Sequence, residues 1–236
     1  MAYEYLFSAL PPLPEGPGGR VEISGRELCG MLRSEGSIAE ALGLAVLMAM
    51  DLKALERMDL DAKPGETALF SEEDLKDKSL LPFWLRQALE EEEIKKGEGA
   101  GLPFDHVWST YYQRLAQLAK DASCGFLGHW VSWDVGLRDA LAACRARALG
   151  VDPEEAKSGT GLGLSEEEFK SVIEALVSIK ERDHSRWQDM DRLVATYRLD
   201  YARRLAPSYT FDLDELVCYV VSFVALRECM YLGRTH

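Results

Sequence analysis

The sequence lacks an excess of positive charge, and this excludes one broad class of function. Among 236 residues, 40 are acidic and 27 are Lys or Arg, so the formal net charge is −13. Proteins that bind nucleic acids without sequence preference rely on many Lys and Arg contacts to phosphates. We therefore expect no general nucleic-acid binding, although a local basic patch is compatible with this composition.

Long hydrophobic runs are also missing. The two most apolar stretches, 41–50 and 216–226, are closed by charged residues and are much shorter than the roughly 20 residues of a membrane-spanning helix. The first residues lack the basic segment of a signal peptide and soon reach Pro11. We expect a soluble, cytoplasmic protein in which both apolar stretches form buried helices.

The cysteines and histidines show no recognisable metal-binding pattern. The five cysteines have no CxxC spacing and lie scattered in apolar surroundings, which is typical of buried thiols in a reducing compartment. Glu181 and His184 have the Glu-x-x-His spacing of di-iron bundles, but such a site needs a second pair and two further glutamates. No second pair occurs in the sequence. We therefore predict no metal and no other cofactor.

Motifs of catalysis are scarce as well. The glycine-rich segment 159–163 has neither the preceding strand nor the following Lys-Ser or Lys-Thr pair of a phosphate-binding loop, so we predict a flexible linker. There is no Gly-x-Ser-x-Gly nucleophile motif, and no cysteine has an evidently electropositive setting. These observations favour a protein that is not an enzyme.

Helical periodicity dominates the sequence that remains. Apolar residues spaced three and four apart form one stripe from Phe126 to Ala148 and another from Trp187 to Leu205. Helix starts are predicted where an N-cap residue precedes an acid by three positions, as at Ser37, Ser71, Ser165 and Asp212. The only strand signal covers residues 20–24.

We predict an all-α, multi-helix bundle of roughly eight helices, with at most a short strand near the N-terminus. Breaks in the pattern occur at 11–19, 61–66, 90–101 and 152–163. The acidic run that opens the third break is typical of a solvated helix end. The prediction is a single helical domain over 1–236, with a subdivision into an N-terminal part (1–100) and a C-terminal helical core (101–236) as the other arrangement.

The aromatic-rich segment around Trp130 supports two interpretations. Trp130 and Trp133 lie on the first stripe, while Asp134 and Arg138 are four residues apart and suitably placed to pair along a helix. In the first interpretation, the tryptophans are core residues beside an exposed ion pair. In the second, the same residues form a protein-docking face, because Trp and Arg are favoured at interface hot spots. The segment with Arg186 and Trp187 is the other candidate, since arginines make it more basic than the rest of the chain.

The order of several landmarks resembles a bacterial family of unassigned function that is encoded beside V-type ATPase subunits. The N-terminal landmarks are Tyr3, Glu4, Tyr5 and Leu6, then Leu10, Pro11, Pro12 and Leu13, and the run from Leu81 through Pro82, Phe83 and Trp84 to Leu85. The central block is the most specific, with Tyr111, Tyr112, Phe126, Leu127, Trp130, Trp133, Leu137 and Arg138, and then Ala146, Arg147, Ala148, Leu149 and Gly150. The C-terminal landmarks are Arg186, Trp187, Phe211, Asp212, Leu213, Asp214, Glu215, Leu216 and Tyr219.

That family is similar to the C (or d) subunit of V/A-type rotary ATPases, an all-helical protein that couples the rotor shaft to the membrane ring. The resemblance implies a non-catalytic subunit or adaptor of the central stalk, peripheral to the inner membrane through its protein partners. The usual C subunit is much longer and has three similar lobes, so this chain resembles a reduced version. The alternatives are a helical-bundle enzyme with a carboxylate-lined pocket and a free-standing regulatory protein-binding module.

Overall fold

A computed structural model describes residues 3–34, 38–97, 104–150, 152–154, 157, 159–182, 187–206 and 210–233. Within these residues the chain forms ten α-helices, of which eight have seven or more residues, and it forms no strand. The predicted all-α fold of roughly eight helices is therefore confirmed. The helices are α1 (Glu4–Ala9), α2 (Gly25–Arg33), α3 (Ile38–Asp59), α4 (Glu72–Lys76), α5 (Phe83–Gly97), α6 (Asp105–Asp121), α7 (Gly125–Leu149), α8 (Lys170–Arg182), α9 (Trp187–Leu205) and α10 (Leu213–Gly233).

Residues 20–24, the one stretch in which the sequence allowed a short strand, do not form one. This stretch instead leads into α2, where the Ser24 hydroxyl accepts a hydrogen bond from the Glu27 amide and the Glu27 carboxylate accepts one from the Ser24 amide at 2.7 Å. This reciprocal capping box satisfies two backbone donors that a helix start otherwise leaves without partners. The Ser-x-x-Glu spacing was present in the sequence, so α2 carried a local signal that the prediction missed.

The other predicted helix starts have mixed outcomes. Ser71 forms a capping box with Asp74 at α4, and the Asp212 carboxylate accepts from the Glu215 amide at 3.0 Å beside α10. Ser165 precedes a short 3-10 helix (Glu166–Phe169) that continues into α8, but its side chain makes no capping hydrogen bond. Ser37 lies outside the described residues. Capping therefore marks two of the three predicted starts that the structure describes, as the local chemistry predicts.

The three most apolar helices, α3, α7 and α10, all contribute buried residues to the core. Helix α10 packs against α3, α7 and α9, and α6 packs against α3, α5 and α7. One buried apolar cluster joins the first and second halves of the chain, from Leu6 in α1 to Leu226 in α10. Both apolar stretches singled out in the sequence, in α3 and α10, contribute to this cluster. In the described part of the chain, no helix is both long enough and apolar enough to cross a membrane.

The acidic run in α5 is not simply a solvated helix end. Helix α5 continues through the run, and Glu92 within it is only 5% exposed. Its carboxylate accepts hydrogen bonds from the backbone amides of Phe104 at 2.8 Å and His106 at 3.0 Å. These amides lie at the start of α6, where a negative charge is favoured by the helix dipole. Glu92 therefore fixes the N-terminus of α6 against α5.

The glycine-rich linker is packed against α7. The Leu164 amide donates to the Ser132 carbonyl at 3.1 Å, and Gly163 lies directly on Gly136 of α7. A Cβ atom placed on Gly163 would come within 2.9 Å of the Gly136 backbone nitrogen, closer than van der Waals contact allows. The glycines therefore allow two backbones to approach each other. The prediction of an unrestrained, flexible linker is wrong at this end of the segment.

A buried carboxylate in α3 holds the loop before α4. Asp51 is fully buried, and its two oxygens accept hydrogen bonds from the backbone amides of Ala68 and Leu69, each at 3.1 Å, and of Phe70 at 3.3 Å. Burial raises the pKa of Asp51 to about 6, and the three N–H donors only partly oppose this shift. One side chain thus supplies the polar partners for three consecutive amides of a half-buried loop.

We expect Asp51 to make the stability of the protein depend on pH. Its pKa in the folded protein, about 6, lies above the unfolded value of about 3.9, so the folded state binds more protons between these values. This contribution to stability is therefore complete below about pH 4 and is lost as the pH rises through about 6. Relative to Asp51→Asn, the wild-type free energy of unfolding should be about 1 kcal/mol larger at about pH 5 than at about pH 7.5, as measured by urea denaturation. A relative stability that falls on acidification would contradict this assignment.

Candidate functional site

Five polar side chains from five helices meet inside the protein. Tyr112 of α6 donates its hydroxyl to Asp134 of α7, and the Arg198 Nε of α9 donates to the same carboxylate at 2.7 Å. Arg198 also lies 3.6 Å from Glu228 of α10, which pairs closely with Lys53 of α3. We call this set the five-helix network. It connects α3, α7, α9 and α10 through ion pairs, and α6 through the Tyr112 hydrogen bond.

The two carboxylates of the network, Asp134 and Glu228, remain ionised because each has a cationic partner. Burial alone would raise the pKa of Asp134, but Arg198 and the Tyr112 hydroxyl outweigh it and hold the pKa below its usual range. Burial likewise would raise the pKa of Glu228, and the nearby Lys53 and Arg198 lower it. Burial lowers the pKa of Lys53, and Glu228 opposes that shift. Mutual neutralisation is what makes these charges tolerable in the interior.

The predicted pair of Asp134 with Arg138 is wrong. Asp134 is 4% exposed and faces Arg198 of α9, which is far away in the sequence. Arg138 lies over the Trp108 ring, with its guanidinium carbon 4.6 Å from the ring centroid, and its nearest carboxylate is Asp105 at 3.9 Å. Asp134 therefore binds side chains of α6 and α9 and not Arg138, which lies four residues away in its own helix. The expectation that Asp134 belongs to an exposed pair fails for the same reason.

Trp130 and Trp133 lie in the core, as the first interpretation of their stripe predicts. They are 7% and 6% exposed, and the Trp133 ring stacks on Tyr201 with centroids 4.1 Å apart and planes 8° apart. Phe169 lies on another side of Trp133, at a centroid distance of 5.8 Å. Because the two indoles are enclosed by other helices, they present little surface to a partner protein. Their position therefore gives no support to the docking interpretation.

The other candidate interaction residues, Arg186 and Trp187, lie wholly or partly outside the described part of the chain. Arg186 lies outside the described residues, and Trp187 begins α9 with its side chain outside them. Further along the predicted stripe, Val194 and Tyr201 are half-buried, whereas Ala195 and Leu199 between them are fully buried. The α9 stripe was therefore predicted in the right helix but slightly rotated from the face that is buried most deeply.

A cavity of about 220 Å³ lies beside the five-helix network. It is bounded by α3, α6, α7, α9 and α10, and charged side chains supply much of its wall. The acidic lining residues are Glu56, Asp105, Asp139, Asp191 and Glu228, and the basic ones are Lys53, Arg138, Arg145 and Arg198. The arrangement is suited to holding a polar molecule, because the charges are fixed by packed helices rather than by loops.

Two carboxylates of this cavity have a raised pKa. Desolvation raises the pKa of Asp105 to about 6, although Arg138 opposes the shift. Desolvation and the charge of Glu228 also raise the pKa of Asp191. Glu56 accepts a long hydrogen bond of 3.3 Å from the Trp108 indole. These carboxylates differ from Asp134 and Glu228 of the five-helix network, each of which has a close cationic partner.

The residues that bring this site together had only weak signals in the sequence. Lys53 and Glu228 were usable signals, because each is a charged residue inside one of the most apolar helices, α3 and α10. Arg198 belongs to the basic segment around Trp187 and has no distinguishing signal of its own. Asp105 and Asp191 carried no local signal, since their positions near helix starts are common for acids. Their proximity to the cavity results from helix packing.

The described residues contain no cluster of three or more His, Cys, Asp or Glu side chains suited to a metal ion. His184 of the Glu-x-x-His pair lies outside the described residues. Four of the five cysteines are buried and Cys144 is partly buried, with none in a disulfide. Burial raises the pKa of Cys124 to about 12 and that of Cys218 to about 11. These two thiols are therefore protonated and poorly nucleophilic at neutral pH.

Comparisons with protein-family models, curated proteins and solved structures find no match to this chain.

Proposed function

We propose that this chain is a non-catalytic subunit or adaptor of a bacterial V-type ATPase, placed in the central stalk between the rotor shaft and the membrane ring. The proposal comes from the ordered landmarks that resemble the V-type ATPase-associated family and, through it, the C subunit. The all-helical fold is compatible with that resemblance. In this role the chain binds other ATPase subunits and reaches the inner membrane only through them.

The observation that best supports a torque-transmitting role is the five-helix network. A protein that transmits torque must resist sliding of its helices, and packed interiors have low compressibility. Here Asp134, Arg198 and Glu228 add ionic contacts between α7, α9 and α10, and Lys53 extends them to α3. Separating such a buried pair leaves uncompensated charges, which opposes relative motion of the helices.

The enzyme alternative also has one specific observation in its favour. The cavity beside the network is lined by carboxylates from several helices, as expected of a helical-bundle enzyme. Asp105 would be the first candidate for proton transfer, because its pKa of about 6 is near neutral pH. Loss of a measured activity on Asp105→Asn, with the fold retained, would move this alternative ahead of the adaptor proposal.

Co-purification from the native cell tests the adaptor proposal. The chain, tagged and expressed at its natural level, is isolated from gently solubilised membranes, and its partners are quantified by mass spectrometry. We expect rotor-shaft and membrane-ring subunits in a fixed ratio to the chain, because a stalk component is a permanent part of the complex.

An unrelated acidic helical protein with the same tag serves as the control for non-specific capture. Small and variable amounts of ATPase subunits would instead favour the free-standing regulatory module. Their complete absence from the preparation, with the ATPase intact in the same membranes, would contradict the proposal.

A further inference from the structure

We propose that the groove that holds the N-terminal arm of this chain, residues 3–15, is a binding site for a proline-rich segment of a partner protein. The arm itself fills this groove, against α9 and α10, and thereby shows which ligand chemistry the groove accepts. The inference does not depend on the ATPase proposal. It rests on the conformation of the arm, on the groups that bind it and on the space that it leaves unfilled.

The arm contains a short stretch of polyproline II helix. After α1, residues 10–14 have the sequence Leu-Pro-Pro-Leu-Pro, in which every residue is a proline or precedes one. Proline fixes its own φ at about −65°, and a residue before proline is restricted to extended conformations. Leu10 has φ −74° and ψ 128°, which lies in the polyproline II region. The stretch is therefore preorganised, and this lowers the entropy that it loses on binding.

Two donors on the helices match the repeat of the polyproline II helix. The Tyr219 hydroxyl of α10 donates to the Pro11 carbonyl at 2.7 Å. The Arg203 guanidinium of α9 donates to the carbonyls of Pro14 and Glu15. Because this helix has about three residues per turn, the carbonyls of residues 11 and 14 lie on the same side, about 9 Å apart. Both donors bind main-chain atoms, so the groove recognises the conformation of the segment and not one particular side chain.

The arm is attached in a way that allows it to leave the groove. Three of the four residues 16–19 are glycine, which permits wide rotation of the backbone at this point. Helix α1 has six residues and is too short to be stable by itself. Leu6 and Leu10 are its buried anchors. A terminal segment with few buried contacts opens at a lower free energy than the whole protein unfolds.

The arm fills the groove incompletely. A depression of about 520 Å³ remains between the arm and the two helices. On the side of α10 it is lined by Cys218, Tyr219 and Ser222. A segment with larger side chains along the same path would bury surface that the arm leaves uncovered, and it would therefore bind more tightly.

This unfilled space favours a partner protein over a second copy of the chain. A second copy offers the same arm and therefore the same contacts. The chain's own arm, however, is already tethered beside the groove at a high effective concentration, so exchange of arms between copies gains nothing. A proline-rich segment that also fills the depression makes additional contacts, and these can outweigh the advantage of the tether.

The experiment measures, by fluorescence anisotropy, how a labelled peptide with the sequence of residues 9–17 binds to the full chain. Leu10→Asp opens the groove, because it places a charge at a position of the arm that is only 9% exposed. We expect a dissociation constant below about 1 mM for this variant and binding about tenfold weaker or less to the wild type, in which the arm competes. Leu13→Asp, at a half-buried position of the arm, is the second opening variant in case Leu10→Asp does not fold.

Two comparisons test the polyproline mode of binding. A peptide with Pro11→Ala, Pro12→Ala and Pro14→Ala should bind about tenfold more weakly, since it is no longer preorganised. Within the Leu10→Asp chain, Tyr219→Phe should weaken binding of the original peptide about fivefold, because it removes one donor. The opened chain is needed for this step, since in the wild type the same substitution would loosen the arm as well.

The matched control is Tyr231→Phe in the Leu10→Asp chain. Tyr231 lies on the same helix as Tyr219 and also donates its hydroxyl to a main-chain carbonyl, that of Lys63, but away from the groove. This control should leave peptide binding unchanged. Light scattering of the wild type at about 0.2 mM should give the mass of a monomer, as expected if copies do not exchange arms.

The proposal is overturned if the opened chain binds no peptide, if the alanine peptide binds equally well, or if Tyr219→Phe weakens binding no more than Tyr231→Phe does. A wild-type dimer that the peptide dissociates would also overturn it, in favour of arm exchange between two copies.

Discussion

Replacing Asp134 with Ala should lower the free energy of unfolding by about 3–5 kcal/mol. The substitution leaves the Arg198 guanidinium, whose side chain is only 11% exposed, without its closest carboxylate, and leaves the Tyr112 hydroxyl without its acceptor. Urea denaturation followed by circular dichroism measures the loss. The size of the effect is large compared with the total stability of about 5–15 kcal/mol that is usual for a domain.

A double-substitution cycle separates the ionic contact from general damage. Arg198→Met alone should also be strongly destabilising, because it leaves Asp134 buried and charged. The double variant should be more stable than the sum of the two single effects by about 1–3 kcal/mol, since no isolated charge remains. Strictly additive losses would show that the two side chains do not interact.

Arg138→Gln is the matched control within the same helix. Its side chain is 25% exposed and its nearest carboxylate is 3.9 Å away, so we expect a change within about 1 kcal/mol. Equal losses for the Asp134 and Arg138 variants would contradict the unequal burial that the structure assigns to them. They would instead favour the pairing predicted from the sequence.

Replacing Trp133 with Ala is the second large change, with an expected loss of about 3–5 kcal/mol. The substitution removes the ring that stacks on Tyr201 and packs beside Phe169 and Trp130, and the cavity left between α7 and α9 can close only in part. The melting temperature and the urea midpoint should both fall sharply. The loss should be observed in the isolated chain, before any partner is added.

Phe83→Ala is the control for removal of an aromatic ring. Phe83 is 72% exposed, so its truncation should change stability by less than about 0.5 kcal/mol. A folded Trp133→Ala protein with unchanged stability and no subunit binding would instead restore the docking interpretation of this stripe. The paired measurement therefore decides between a core residue and an interface residue.

Local features explain why much of the fold was predictable. The apolar stripe from Phe126 to Ala148 became α7, and the capping pattern at Ser71 became the start of α4, because both depend only on residues within a few positions. At residues 20–24, the alternation of apolar Val21 and Ile23 with polar residues suggested a strand and outweighed the Ser24 capping pattern. Ambiguity between helix and strand is expected in short segments, because a periodic pattern is difficult to recognise over only a few residues.

The sequence alone determined the helical class of this protein, the helices that carry its apolar faces and the scarcity of known catalytic motifs. Only the tertiary structure decided that Asp134 pairs with Arg198, at a separation of 64 residues, and that Lys53, Asp105 and Asp191 surround one cavity. The reason is that helix formation follows from short-range spacing, whereas a buried charge pairs with whichever group the packing of other helices brings within reach.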